Sequence, residues 1–572
     1  ENTEIAKILR EIGEYLEMQG EFVFKVRAYE KASEFIESLS ESLKDIYTKN
    51  GMKGLEEISG IGKGIAEKIE ELLKTGKSKY YEKLKKKAPV NLEELSAVEG
   101  LGPKKILKLY QELDITNLEE LKKAAEKGRI AKVEGFGQKT EEKILRGIDF
   151  LKKSGGRFVL GYIEPQVEVI EKSLRGLKEV DKIIIAGSFR RRKETIGDVD
   201  ILITSDKPDL VMKYFVELPG VDHVVAHGMT KSVIKLKNGL EVDLRVVAEE
   251  SYGAALNYFT GSKDHNVALR QLAISKGYKL NEYGLFKDKK MIAGQTEEDL
   301  YKALGLDYVE PELREMTGEV GAASTGKLPQ LISYGELRGD LQVQTSWTDG
   351  AHSIEEMAQA AIKEGLEYIV ITDHTKRLAM TRGLDEKRIQ EQWKEIDSLN
   401  EKLKSLKFKI LKGTECDILK DGSLDLPDKI LEKLDVVGVS VHSYFNLSRG
   451  DQTNRIKRAM ANPNVDIIFH PTGRILNKRA AYDVDMEELI KTTKETGTCM
   501  EIDSYPDRLD LKDEYIRQCV KEGVRLAIDS DAHTADHFKF LKYGIAQARR
   551  GWATKEDIIN AWPVEKMLGY LK

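Results

Sequence analysis

At 572 residues the chain is too long for one ordinary hydrophobic core, so three or more domains are expected. With 41% hydrophobic and 33% charged residues and no apolar run long enough to span a membrane, it reads as a soluble protein expected in the cytoplasm. The net charge of −5 excludes a uniformly basic nucleic-acid binder but not local basic contacts, and Cys416, Cys499 and Cys519 lack the spacing of a disulfide framework.

A Gly-apolar-Gly motif recurs three times in the first part of the chain. Gly60-Ile61-Gly62 runs into Lys63-Gly64, Gly100-Leu101-Gly102 into Pro103-Lys104, and Gly135-Phe136-Gly137 into Gln138-Lys139. Each copy sits between helix-like segments. The glycines allow a tight turn whose backbone N–H groups face outward at the next helix's N-terminus, where a phosphate oxygen fits. The apolar residue anchors the turn in the core. One copy alone would read as a Gly-capped helix connection. Three copies resemble the helix-hairpin-helix element, which grips a DNA backbone without reading its sequence. The lysines at 83 and 85 to 87 read as a solvated helix face.

From about residue 151 the pattern changes. β-like runs are predicted at 182–186, 199–204, 232–237 and 241–247, and Asn238-Gly239 signals a hairpin between the last two. Gly187-Ser188-Phe189-Arg190-Arg191-Arg192 makes a phosphate-holding turn just before Gly197-Asp198-Val199-Asp200. On a strand, Asp198 and Asp200 share a face, and Asp243 lies in another β-like run. Three converging aspartates can hold two Mg²⁺ ions, which points to nucleotidyl transfer. The Gly-, Ala-, Ser- and Thr-rich stretch after residue 315 is expected to be a linker.

Beyond Tyr334 the chain reads as β-α repeats whose apolar strands end in polar residues. Successive ends carry His374, Glu415, His442, His470, Asp531 and His533. Ligands at successive strand C-termini are how an α/β barrel builds a site.

Gly187-Ser188-Phe189-Arg190-Arg191, Gly197-Asp198-Val199-Asp200, Asp243 and Tyr258-Phe259-Thr260-Gly261-Ser262 together resemble family X DNA polymerases. The C-terminal half resembles a PHP (polymerase and histidinol phosphatase) domain. Together they look like the two-part family X polymerase of bacteria and archaea, PolX. The fold implied is multidomain α and α/β: helical helix-hairpin-helix domains, a nucleotidyltransferase palm on a mixed β-sheet, and a PHP α/β barrel. The expected boundaries are 1–90 for an N-terminal helical, lyase-like DNA-binding domain and 91–150 for fingers with further hairpins. A palm follows at 151–250, a thumb-like nascent-pair subdomain at 251–315, a linker at 316–333 and the PHP domain at 334–572.

The resemblance implies that Asp198, Asp200 and Asp243 hold Mg²⁺ or Mn²⁺. It implies that Ser188 and Arg191 hold the triphosphate of a deoxynucleotide, with Gly187 and Gly261 also nucleotide-binding, that Tyr258 and Phe259 flank its sugar, and that Asn266 and Arg270 meet the nascent pair and template. The expected DNA-binding residues are Gly60, Gly62, Gly64, Gly100, Gly102, Lys104, Gly135, Gly137 and Lys139. Lys68, with Tyr29 beside it, falls where relatives with 5′-deoxyribose-phosphate lyase activity place a Schiff-base lysine; binding a 5′-phosphate is the other reading. PHP domains usually carry two histidines where this chain has Gln342 and Gln344. Asp349, His374, Glu415, His442, His470, Asp531 and His533 keep ligand-type side chains for Zn²⁺ or Mn²⁺. A glutamine oxygen is a much poorer donor than imidazole, so a weakened or absent nuclease is expected. The function implied is template-directed DNA synthesis by a monomer, filling short gaps in repair. Residual 3′–5′ exonuclease or AP-endonuclease activity, a different nucleotidyltransferase and a non-catalytic DNA-end scaffold are the alternatives.

Overall fold

The computed structural model describes every residue except 1, 40, 41, 59, 99, 100, 155, 379, 380 and 572. Helices from Asn2–Met18 to Gln138–Ser154 form an all-helical N-terminal region around one core of Leu, Ile and Val side chains. Ile61, Leu101 and Phe136, the middle residues of the three hairpins, are buried in that core.

A five-stranded mixed sheet follows. Its order is Lys182–Ile185, Asp198–Thr204, Glu241–Val246, Lys231–Leu236 and Val221–His227. The second and third strands are parallel and bring Asp200 into register with Asp243. Helices Leu160–Arg175 and Pro208–Val216 bury apolar residues against the sheet. A smaller region carries helices Tyr252–Thr260 and Lys263–Ser275 and a three-stranded antiparallel sheet.

The stretch 316–333, expected as a loop-like linker, is packed. It holds the helix Glu319–Ser324, and Ala323 and Leu331 join the core of the preceding region. Glu319 is buried with its carboxylate 2.7 Å from the His265 ring, so polar pairing fixes a sequence that looked unstructured.

Seven parallel strands then form a barrel. They run in sequence order from Gly339–Val343 to Leu526–Asp529 and are closed by a parallel bridge between Val343 and Ala532. Alternation along the strands separates two cores. Ile369 and Ile371 face the surrounding helices, whereas Leu341, Tyr368, Val370 and Phe469 form a second cluster with Ile559, Trp562 and Met567 near the chain end.

The regions that carry the five-stranded and three-stranded sheets dock on the barrel through buried or half-buried ion pairs. Arg474 reaches Glu194 at 2.7 Å, Lys542 reaches Glu164 at 2.7 Å, and Arg549 reaches Glu312 at 2.7 Å. Gly161 sits against the barrel's Pro506 so closely that a Cβ would lie 2.7 Å from its ring.

Candidate active sites

Asp198 and Asp200 leave one face of their strand, and the parallel register places Asp243 beside Asp200. Gly187 opens the short helix Gly187–Arg190 with φ of +62°, and a Cβ there would stand 2.5 Å from Asp200 Oδ2. Glycine alone lets the turn approach the carboxylate so closely. Asp243 turns its Oδ2 to Lys231 Nζ at 3.0 Å and Arg245 Nη2 at 3.3 Å, while its Oδ1 is buried without a partner. Burial, then the charges of Asp198 and Asp243, raise the Asp200 carboxyl to about 7. An orphaned carboxylate oxygen beside a destabilised carboxylate fits a hard divalent cation, for which oxygen donors are selective. The trio is more open than the barrel groups described below, which are the ones among the described residues whose ligand atoms all lie within 4.8 Å.

That raised carboxyl has a measurable consequence. A proton on Asp200 stabilises the metal-free fold fully below pH 3.8, and this contribution is lost as pH rises through about 7. The thermal midpoint of Asp200→Asn should therefore gain on the parent as pH climbs from 5 to 8, on the order of a few degrees. A difference that does not change with pH would contradict the burial argument.

A cavity of about 790 Å³ opens on this face, lined among others by Ser188, Arg191, Asp198, Asp200, Tyr258 and Asn266. Gly187, Phe259, Gly261 and Arg270 line it as well, so the sequence-predicted nucleotide residues come together in one place. Asp243 is not among the lining residues. Asn266 Nδ2 donates to Tyr258 O at 2.7 Å, and the Phe259 ring stacks under the Arg245 guanidinium, 4.4 Å from ring centre. Arg191 donates through Nε to Glu315 at 2.9 Å and through Nη1 to Thr260 O at 2.5 Å. Its neighbours in the basic run are structural rather than solvated. Arg190 pairs with Glu297 at 2.7 Å and Thr260 Oγ1 at 2.8 Å, and Arg192 pairs with Glu164 at 2.5 Å. Lys193, the end of the basic run, lines the same cavity, as do Glu315, Lys512, Asp513 and Arg550, which sequence reasoning missed. The last three come from the barrel, and no local pattern marks them.

The hairpins present open backbone. A Cβ at Gly62, Gly64, Gly102, Gly135 or Gly137 would meet nothing within 4 Å. Gly62 and Gly102 cap the helices Lys63–Thr75 and Pro103–Leu113 without side-chain bonds. Gly60 takes φ of +77° against the Phe35 ring. Gly102 and Lys104 share a groove of about 340 Å³ with Lys105 and the barrel's Lys478. Lys139 lies in the first turn of Gln138–Ser154, and Gly100 lies outside the described residues. Lys68 Nζ donates to Gly64 O at 2.7 Å and stands 4.8 Å from the Tyr80 ring centre and 5.9 Å from that of Tyr29. Burial, then the charge of Lys25, lower its pKa, which favours a nucleophilic amine.

In the barrel, five of the seven predicted ligands fall into two groups that share His374. One is Asp349, His374 and His533; the other is His374, Glu415 and His442. His470 Nε2 lies 2.8 Å from Glu415, but its ring stands outside both groups. Asp531 is also outside them, 4.0 Å from the guanidinium of Arg508. Gln344 Nε2 donates to Glu415 Oε2 at 2.8 Å, spending an oxygen that a metal would need. Gln342 is fully buried with neither amide atom partnered. Burial is opposed by Glu415, which together with Asp417 holds His442 up at about 9, so the metal-free cluster carries protons that a cation would displace. Sequence reasoning passed over Asp417, 3.3 Å from His442 Nδ1, and Arg508.

The chain matches known families along most of its length. Residues 1–78 match a helix-hairpin-helix domain and 92–149 a SAM-like helix-hairpin-helix tandem. Residues 163–251 match the DNA polymerase beta palm, 255–315 the DNA polymerase beta thumb and 340–504 the PHP domain. A probable phosphatase of Thermoanaerobacter sp. (strain X514) is 32% identical over 41% of this chain and 94% of its own length. DNA polymerase lambda of Rattus norvegicus is 31% identical over 45% of this chain and 48% of its own. The DNA polymerase/3′-5′ exonuclease PolX of Bacillus subtilis (strain 168) is 39% identical over 100% of this chain and 99% of its own. With polymerase palm, thumb, hairpins and PHP barrel joined in the same order over the full length, the chain belongs to the PolX family of DNA polymerases.

Proposed function

We propose that the chain fills short gaps in DNA, with Asp198, Asp200 and Asp243 as its catalytic centre. The convergence of Asp198 and Asp200 with the predicted nucleotide residues on one cavity supports this reading. The three aspartates would hold Mg²⁺ or Mn²⁺, which lower the pKa of a primer 3′-hydroxyl and offset the charge of a leaving pyrophosphate. The Gly187-Ser188 turn and Arg191 bind the triphosphate, Arg by charge-assisted bonds. Tyr258 and Phe259, fixed by Asn266 and Arg245, wall the sugar and exclude a ribose 2′-hydroxyl. Asn266 and Arg270 orient the nascent pair. The hairpins at Gly60–Gly64, Gly102–Lys104 and Gly135–Lys139 grip the DNA backbone on both sides of a break. Primer extension on a one-nucleotide gap, compared with an open primer-template, tests the assignment. Incorporation directed by the template and faster on the gap is expected; template-independent addition would contradict it.

The barrel is read as a weakened phosphoesterase. Two ligand groups sharing His374 support one or two bound cations, Zn²⁺ or Mn²⁺, while Gln342 and Gln344 deprive the remaining position.

For Lys68 we propose a role at the 5′ side of the gap, where its lowered pKa would favour a Schiff base with an abasic sugar. Borohydride reduction on a nicked abasic duplex should trap an adduct in the parent and about tenfold less in Lys68→Ala. Equal trapping, or none in the parent, would leave Lys68 as a ligand for the 5′-phosphate.

A further inference from the structure

The nucleotide cavity is completed by the barrel. Arg550, the last residue of the helix Leu541–Arg550, is buried and enters the wall of the cavity. Its Nη1 donates to Arg191 O at 2.8 Å and lies 3.2 Å from Glu315 Oε1. That same oxygen accepts Arg191 Nε at 2.9 Å. The second arm of Arg550 donates to Asp513 at 2.5 Å. One carboxylate oxygen is thus shared between the arginine proposed to hold the triphosphate and an arginine of the other catalytic domain.

We infer that Arg550 is a positioning residue for nucleotide binding, through which the PHP barrel sets the polymerase's demand for deoxynucleoside triphosphate. This rests on the reading of Arg191 as a triphosphate ligand. To take a phosphate, Arg191 must loosen its bond to Glu315. A second guanidinium on the same oxygen lowers the cost of that exchange, because Glu315 keeps a cation when Arg191 turns away. Arg550 also holds the Arg191 backbone, which fixes the root of the side chain. Without Arg550, the nearest other cation to Glu315 is Lys193, 3.9 Å from Oε2. Glu315 would then compete with the triphosphate for Arg191. The effect falls on ground-state nucleotide binding and leaves the Asp198 and Asp200 face untouched.

The test is steady-state gap filling by the full chain. Arg550→Gln should raise KM for the nucleotide about tenfold with kcat within about twofold. Adding Glu315→Gln to it should bring KM back to within about threefold of the parent, because the competing charge is gone. A KM that does not move, or a rise that Glu315→Gln does not reverse, overturns the proposal and leaves Arg550 as a domain tether. Arg191→Gln run alongside separates the two claims. If it raises KM while Arg550→Gln does not, the inference about Arg550 fails alone. If Arg191→Gln leaves KM unchanged, the nucleotide reading of the cavity fails and takes this proposal with it. Should Arg550→Gln not fold, Arg550→Lys keeps the charge but cannot reach Arg191 O, Glu315 and Asp513 together; a KM rise of about threefold that Glu315→Gln reverses supports the proposal, and no change overturns it.

Discussion

Replacing Asp200 with alanine is expected to slow primer extension by at least about a thousandfold, equivalent to about 4 kcal/mol of lost transition-state stabilisation. Asp198→Ala should do the same. Asp200 sits at the centre of the trio: Asp243 is in register with it, and the turn at Gly187 closes on its carboxylate. Removing it would take away a ligand of the cations proposed to act at this face of the cavity. Binding of gapped DNA should change by less than about threefold, since the hairpins lie in a separate domain. Gel-shift and single-turnover extension on the same substrate separate the two effects. Residual synthesis within about tenfold of the parent would mean that the carboxylates are not the cation site.

The double reversion Gln342→His with Gln344→His should raise Mn²⁺-dependent hydrolysis of DNA ends by about a hundredfold. Gln344 now ties up a Glu415 oxygen, and Gln342 presents two buried amide atoms with no partner. Imidazoles at these positions would free Glu415 and supply donors that bind a borderline cation well. Bound metal per chain, measured after dialysis against Mn²⁺, should rise with activity. More metal without more hydrolysis would mark the barrel as a scaffold that orders the polymerase.

Much of this was written locally in the chain. Asp198 and Asp200 share a face because strands have a period of two, and the Asn238-Gly239 turn brings the strand of Asp243 back into the sheet. The barrel was legible because its strands after the first run into ligand-type residues, among them His374, Glu415, His442, His470 and Asp531. What the sequence hid was pairing at long range. Glu315, Asp513 and Arg550 meet at Arg191 from three separate segments, and no spacing rule links them. The stretch 316–333 looked like a linker because its helix is short and small-residue rich; burial of Glu319 against His265 orders it. The edge strand Val221–His227 escaped notice because it is largely exposed and lacks a clean apolar alternation.

If Asp198, Asp200 and Asp243 gather divalent cations where nucleotide enters the cavity, those cations should be directly visible there. Anomalous diffraction from a Mn²⁺-soaked crystal with gapped DNA and a non-hydrolysable nucleotide tests it most directly. Two manganese peaks are expected beside Asp198 and Asp200, one of them also touching Asp243. Manganese found in the barrel while the palm aspartates hold none would contradict it.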